Sequence, residues 1–364
     1  LELALSDPVP NRIYLDHAAT TAMTAAAVDA VMSGMARWAN PSSPHAEGRA
    51  ARAALERARG GVASAYGWRH ETLLTSGASE SLGIALGRSV VTRRLLSAVE
   101  HDAAIRAGGE SAWLPVGSDG IIDPDALRAA LADQPRTLVA VQWANSETGV
   151  RQPIETVADI VHQAGGLLLV DAAQMPANDG LSDHADFIAL SAHKRGGPPG
   201  IGALLVRDLA TLRPSGGQER GYRAGTENLP ATLGYAAALA EAEPVDRWAM
   251  LRARLDDAVR RSGGVVVADD SERHPAIASY HLPGVASAAQ LIRLDASGFA
   301  VSAGSACSSG SMKPSHVLAA MGWAEAASRE VIRVSFGRTT SEADVEAFIA
   351  AWRGVARATR TFAA

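Results

Sequence analysis

Cysteine is nearly absent from this chain: Cys307 is the only one in 364 residues. A lone cysteine forms no internal disulfide, and a zinc site built on four thiolates is excluded. Long apolar runs are missing as well, none approaching the ~20 residues that a membrane-crossing helix needs. The opening Leu1-Glu-Leu-Ala-Leu-Ser-Asp7 lacks the basic stretch of a secretory signal, though a start without Met leaves room for an earlier processing event. Excess positive charge is lacking too. A formal net charge of −5 gives no field suited to a phosphate polymer, so the reading is no nucleic acid and no membrane as partner, with the reducing cytoplasm as location. There is no internal repeat and no low-complexity tract. What is present is 47% hydrophobic residues, enough for a large core in one or two packed lobes.

The surroundings of Cys307 point to chemistry. It lies in Ser302-Ala-Gly-Ser-Ala-Cys-Ser-Ser-Gly-Ser311, whereas a structural cysteine belongs among Val, Leu and Ile on a strand or helix face. The expectation is a nucleophilic thiolate carried on a loop. Stretched out, the chain from Val301 to Pro314 would span on the order of 40 Å, enough to carry the thiol out of a pocket.

Short apolar runs recur at Glu71–Thr75, Arg94–Val99, Thr137–Val141, Gly166–Asp171, Phe187–Leu190 and Gly202–Val206, and they read as buried strands. Helix-compatible stretches such as Asp123–Ala132 and Pro153–Ala164 separate several of them, the first opened by Asp123-Pro124 as cap and first helical residue. Alternation implies an α/β fold with a mainly parallel sheet, and ligands gather beyond the carboxyl ends of such strands. After about residue 240 the pattern changes to an Ala/Arg/Glu-rich helix at Pro244–Ser262, short strands near Gly264–Val267 and Ile277–His281, and a final helix from Ser341. This second unit is read as a smaller α+β domain over 244–364 (with residues 1–11) carrying the cysteine loop, against a large domain over 12–243.

Three clusters fall at strand ends: Thr75-Ser-Gly-Ala-Ser79 opening a helix, Asp171, and Ser191-Ala-His-Lys194. Singly, Lys194 reads more readily as a solvated amine and Asp171 as a turn cap. Together they supply what pyridoxal 5'-phosphate requires: a phosphate cradle, a carboxylate for the ring nitrogen and an amine for a Schiff base. They are expected to share one crevice.

At this point the chain resembles the cysteine desulfurases, in the class V aminotransferase branch of the fold-type I pyridoxal-phosphate enzymes. The resemblance rests on the joint order of Tyr14-Leu-Asp-His-Ala-Ala-Thr-Thr21, Asn40-Pro-Ser-Ser43, Glu100-His101, Asp171-Ala-Ala-Gln174, Ser191-Ala-His-Lys194, Gly216-Gly-Gln-Glu-Arg220, Arg223-Ala-Gly-Thr226, Gly304-Ser-Ala-Cys307 and Ile332-Arg-Val-Ser335. The long Ser/Gly loop around Cys307 looks like the group I branch.

That resemblance implies a large domain with a seven-stranded, mainly parallel sheet. It implies that Lys194 holds the cofactor covalently and shuttles protons at the substrate α-carbon, while Asp171 keeps the pyridine nitrogen protonated and Gln174 meets the phenolic oxygen. His101 lies against the ring and assists proton transfer, its rival role being a helix cap. Ala78, Ser79, Ser191 and His193 hold the phosphate, joined by Thr226 from a second subunit, so a homodimer is implied. Arg333 binds the substrate carboxylate, its rival role being an edge-strand cation facing water. The implied reaction turns L-cysteine into L-alanine, leaving a persulfide on Cys307 for a sulfur-acceptor protein that serves iron–sulfur cluster or thio-cofactor assembly.

Three departures stand out: Ser146 replaces the second, site-facing asparagine of the family pattern, Pro199 replaces a lysine, and the segments flanking Glu100-His101 are short. The chain also ends soon after its last helix, without the tail that some relatives use to dock a scaffold protein. Two other readings stay open here: a selenocysteine lyase or another pyridoxal-phosphate lyase or transaminase, and an inactive binding platform.

Overall fold

The computed structural model describes residues 12–177, 180–304 and 314–360. The strands are β1 (Ile13–Tyr14), β2 (Glu71–Thr75), β3 (Arg93–Ser97), β4 (Ala112–Leu114), β5 (Thr137–Gln142), β6 (Leu167–Asp171), β7 (Phe187–Ser191), β8 (Gly202–Val206), β9 (Val265–Val266), β10 (Ile277–His281), β11 (Phe299–Ala300) and β12 (Val331–Ser335). The seven-stranded sheet has the order β2-β8-β7-β6-β5-β3-β4. All its neighbours are parallel except at β8, which runs antiparallel to both β2 and β7.

Its central strands read as unbroken apolar runs because both faces are covered. Successive side chains alternate sides. Leu168 and Val170 of β6 join one core cluster with Val139, Val141, Ile188, Leu190 and Leu205. Their neighbours Leu167 and Leu169 join the other face with Leu138, Phe187, Leu204 and Val206. Leu168 and Leu169 are each 0% exposed, so truncating either to Ala would cost about 2–5 kcal/mol on its own side of the sheet. Asp123 caps the helix Pro124–Leu131 by accepting from Asp125 N at 2.8 Å, with Pro124 in the first turn, as the sequence pattern anticipates.

The second sheet, β12-β10-β9, is antiparallel. The helices Val245–Arg261, Ser287–Ala296 and Glu342–Arg360 pack against it around Trp248, Leu255, Tyr280, Phe348 and Trp352. Ser341 and Asp344 form a reciprocal cap at the start of the last helix: Asp344 N donates to Ser341 Oγ (3.2 Å) and Ser341 N to Asp344 Oδ2 (2.8 Å).

One boundary changes. Ile13 and Tyr14 pair with Phe299 and Ala300, and Leu15 is buried in the second core, so 12–15 go with the C-terminal unit and not with the large one. The two-residue β1 has only an edge to offer, and its partner lies nearly three hundred positions away. Among the described residues no helix is long and apolar enough to cross a membrane.

Candidate active site

A cleft of about 440 Å³ opens beyond the carboxyl ends of β6 and β7. The three strand-end clusters meet there, since Gly77, Ala78, Ser79, Asp171, Ser191 and Lys194 all line it. Each is delivered by its element. Asp171 ends β6 and Ser191 ends β7, and a short 3-10 turn, Ala192–Lys194, then turns the lysine toward the cleft.

The helix Ala78–Arg88 begins at Gly77, whose φ of 150° and ψ of 179° suit glycine alone. No side chain caps that helix, so its first amides remain available to an anion. A side chain at Gly202 would strike Leu190 O and Gly77, so two glycines let β8 pack beneath the turn. Glu80 carries a negative charge at the same mouth, yet it is engaged: Arg223 Nε donates to Oε1 (2.9 Å) and Ser76 N to Oε2. Burial acts upward on its carboxyl, but the Ser76 amide and Arg223 outweigh it and hold the group below its ordinary value.

His101 caps a helix and also faces the cleft. Its Nδ1 accepts from Ala103 N at 3.1 Å and caps the helix Asp102–Gly108, while the ring lines the cleft. An acceptor at Nδ1 places the proton of the neutral ring on Nε2. Burial, then the Lys194 cation, pull its pKa below the usual 6.5, with Asp171 acting the other way. His193 is pushed down to about 4 by burial and by Lys194 and Arg195, and its Nδ1 pairs with Thr20 Oγ1 at 3.1 Å. Both rings are therefore neutral near pH 7.

Asp171 is 8% exposed, and its Oδ1 accepts from Ala173 N at 3.0 Å, so it also holds the local turn. Glu100 lies close by and is fully buried. Its Oε1 accepts from Gln142 N at 2.8 Å and Oε2 has no partner among the described residues. Burial and the Asp171 charge raise its pKa well above the ordinary carboxyl value. Gln174 donates to Ala18 O at 2.9 Å and keeps a buried Oε1 without a partner among the described residues at the cleft.

Arg333 is 2% exposed and so does not face water; its Nη2 donates to Asp16 Oδ1 at 2.7 Å and its Nη1 to Ser146 O at 2.9 Å. Asp16 stands 317 positions away in the chain, and sequence reasoning singled it out only as part of the Tyr14–Thr21 motif. Ser146 meets the guanidinium through its backbone, held by the buried Asn145, whose Oδ1 accepts from Glu147 N and Thr148 N at 2.9 Å each. Thr226 is exposed and does not line this cleft. Cys307 lies outside the described residues, but Gly304 and Pro314, on either side of its segment, line a second cleft of about 530 Å³. The two clefts share His101, Gln142 and Ser146.

An uncapped helix end, a buried carboxylate, an amine, an imidazole and the unpartnered amide oxygen of Gln174 are a donor set that fits pyridoxal 5'-phosphate. Comparison with known proteins agrees. The Aminotransferase class-V family pattern matches residues 13–348. The chain is 39% identical to a cysteine desulfurase of Gluconacetobacter diazotrophicus, over 95% of this chain and 93% of that one. It is 37% identical to an IscS-like cysteine desulfurase of Mycobacterium tuberculosis, over 95% and 97%. A solved NifS-like protein from Rickettsia africae superposes with a TM-score of 0.85 at 29% identity, covering 94% of this chain and 99% of that one. Matched by that family pattern over most of its length and spanning nearly the full length of these relatives, the chain belongs to the cysteine desulfurases of the pyridoxal-phosphate-dependent class V aminotransferase family.

Proposed function

We propose that this protein is a cysteine desulfurase that takes sulfur from L-cysteine onto Cys307, releases L-alanine and passes the sulfur to an acceptor protein for iron–sulfur cluster or thio-cofactor assembly. The observation that carries this reading is the meeting of Lys194, Asp171 and the uncapped N-terminus at Ala78 in one cleft beside the anchor points of the Cys307 segment. A structural relative, SspA, is known in complex with cysteine; it has 27% identity and a TM-score of 0.77.

Pyridoxal 5'-phosphate, when bound, supplies an electron sink for the carbon that loses its proton. Lys194 holds it covalently and moves the α-proton. Asp171 stabilises a proton on the pyridine nitrogen, and Gln174 meets the phenolic oxygen. Ala78 and Ser79 present helix amides to the phosphate, with Ser191 and His193 beside them. His101 stays neutral and exchanges protons through Nε2, because Nδ1 is occupied by Ala103 N. Arg333 binds the substrate carboxylate, sharing its guanidinium between that ligand, Asp16 and Ser146 O. The Cys307 thiolate attacks the substrate sulfur, so the C–S bond breaks as an S–S bond forms and the carbon left behind is protonated to alanine.

Thr226, exposed and away from the cleft of its own chain, completes the phosphate site of a second copy in a homodimer. A free thiol of this kind suits the reducing cytoplasm. The test is to measure alanine and sulfide from L-cysteine with a reductant present. Cys307→Ser should lower alanine production by at least ~10²-fold while leaving the visible absorbance of the bound cofactor intact. Near-parental activity in that variant would refute the role of the thiol, and activity kept on selenocysteine alone would redirect the reading to a selenium lyase.

A further inference from the structure

His316 takes no part in the chemistry above, yet its ring reaches the chain on both sides of His101. Nε2 lies 2.8 Å from Glu100 O, and because a carbonyl only accepts, that nitrogen carries the proton and donates. Nδ1 of the same ring stands 3.9 Å from Asp102 Oδ1. Glu100, His101 and Asp102 are consecutive, so one imidazole braces the residues before and after the histidine that lines the cofactor cleft. Glu100 and His316 are 216 positions apart, and no local pattern marks the contact.

Each end of this contact is itself fixed. His316 opens the helix His316–Ala320, whose cap Ser315 accepts from Leu318 N at 3.1 Å and donates to Glu147 Oε2 at 2.6 Å. On the other side Val99 is 1% exposed and packs with Val267, Val317, Leu318, Met321 and Val331, so the turn that leads into His101 is docked on the same helix. Val99 O accepts from Gln142 Nε2 at 2.6 Å and Asn145 Nδ2 at 3.1 Å, and Glu100 N donates to Ser97 O at 3.2 Å. Beyond His101, its own carbonyl accepts from Ala104 N at 2.8 Å and Ile105 N at 3.2 Å. Between these points, the peptide that joins Glu100 to His101 is held by His316. The φ of His101, −65°, sets the direction in which its ring leaves the backbone, and fixing that peptide fixes the angle.

We propose that His316 is a positioning residue for His101, its Nε2 holding the Glu100 carbonyl so that the His101 ring stays directed into the cleft. This rests on the desulfurase reading for what His101 does to a substrate, and on the contact alone for how His101 is held. The task belongs to one nitrogen of the ring. An amide side chain reproduces either nitrogen separately: Nε2 of Gln takes the place of the ring Nε2, and Nδ2 of Asn that of Nδ1, so Gln keeps the bond to Glu100 O and Asn loses it. The His316 side chain is 39% exposed, so exchanging it leaves no buried cavity. The direction of His101 then depends on the C-terminal helix that carries His316.

The test uses the holoenzyme. Alanine formation from cysteine, the visible circular dichroism of the bound cofactor and thermal melting are measured for the parent, His316→Ala, His316→Asn and His316→Gln, each also in a His101→Ala background. His316→Ala and His316→Asn should lose about fivefold in kcat with KM unchanged, the factor expected from one lost hydrogen bond, and should change the intensity of the dichroic band. His316→Gln should return both close to the parent. In the His101→Ala background none of the three should move the dichroism further, because the group through which His316 acts is gone. A His316→Ala protein with the parental kcat or the parental dichroism would overturn the proposal, whatever its melting temperature. A His316→Gln protein as impaired as His316→Ala would overturn it by showing that the ring itself, and not its Nε2 donor, is needed, and an equal dichroic change with and without His101 would show that the effect does not pass through His101. If His316→Ala fails to fold, His316→Asn decides by the same outcomes. Should the parent form no alanine from cysteine, the desulfurase reading fails, while the dichroism series still decides whether His316 holds His101.

Discussion

Asp16→Asn isolates the charge that Arg333 already holds before any substrate arrives. The pair is close, 2.7 Å from Nη2 to Oδ1, with Arg333 side-chain exposure at 2% and Asp16 at 21%. Removing one partner of a fully buried pair costs ~3–5 kcal/mol because the other charge is stranded. Asn keeps the hydrogen-bond acceptor, Ser146 O still takes Nη1, and Asp16 is partly hydrated, so we expect about 2–3 kcal/mol, just below that range. For a chain of this size each kcal/mol moves Tm by roughly 2 °C, so the variant should melt about 4–6 °C lower. The sharper signature is the ligand response. In Asp16→Asn a bound amino-acid carboxylate no longer competes with the Asp16 charge for the guanidinium, so saturating alanine should raise Tm more than in the parent and KM for cysteine should fall. Differential scanning calorimetry with and without alanine measures both. A variant melting within about 1 °C of the parent with an equal ligand shift would refute the argument that Asp16 balances Arg333 in competition with substrate.

Lys194→Ala should remove the visible absorbance of the covalently held cofactor and all activity; borohydride reduction of the parent, followed by peptide mapping that placed the label on another lysine, would contradict this. Mixing Lys194→Ala with Thr226→Ala subunits should restore activity, since the hybrid dimer has one cleft with both residues intact, and mixtures as inactive as their parents would show that Thr226 does not cross between subunits. His17 and His193, held near pKa 4 by burial against an ordinary 6.5, are protonated more readily in the unfolded chain, so their contribution to stability is present above about pH 6.5 and lost as pH falls toward 4. Melting of the apoprotein across that range should therefore show Tm falling with pH, less steeply in His17→Gln, and an identical slope in that variant would exclude His17.

Much of the fold was legible because buried strands of a parallel sheet are short apolar runs with few alternatives. The six runs from Glu71 to Val206 became β2, β3, β5, β6, β7 and β8, with ends shifted by a residue or two. β4 escaped notice: it has three residues, and Trp113 on it is 51% exposed, so no apolar run marks it. The direction of β8 was equally hidden, since a strand buried on both faces reads alike in either orientation.

The placement of Lys194, Asp171 and the turn at Gly77 was legible in the sequence alone, because each sits at a strand end or helix start that local patterning marks. Tertiary structure decided what no local pattern encodes. Asp16 balances Arg333 across 317 positions, and Glu147 reaches Ser315 across 168. The Glu100 carboxyl is pushed up in pKa because the fold buries it beside Asp171. Charge balance and the direction of a pKa shift depend on which groups are brought together out of water, and only the closed chain brings them together.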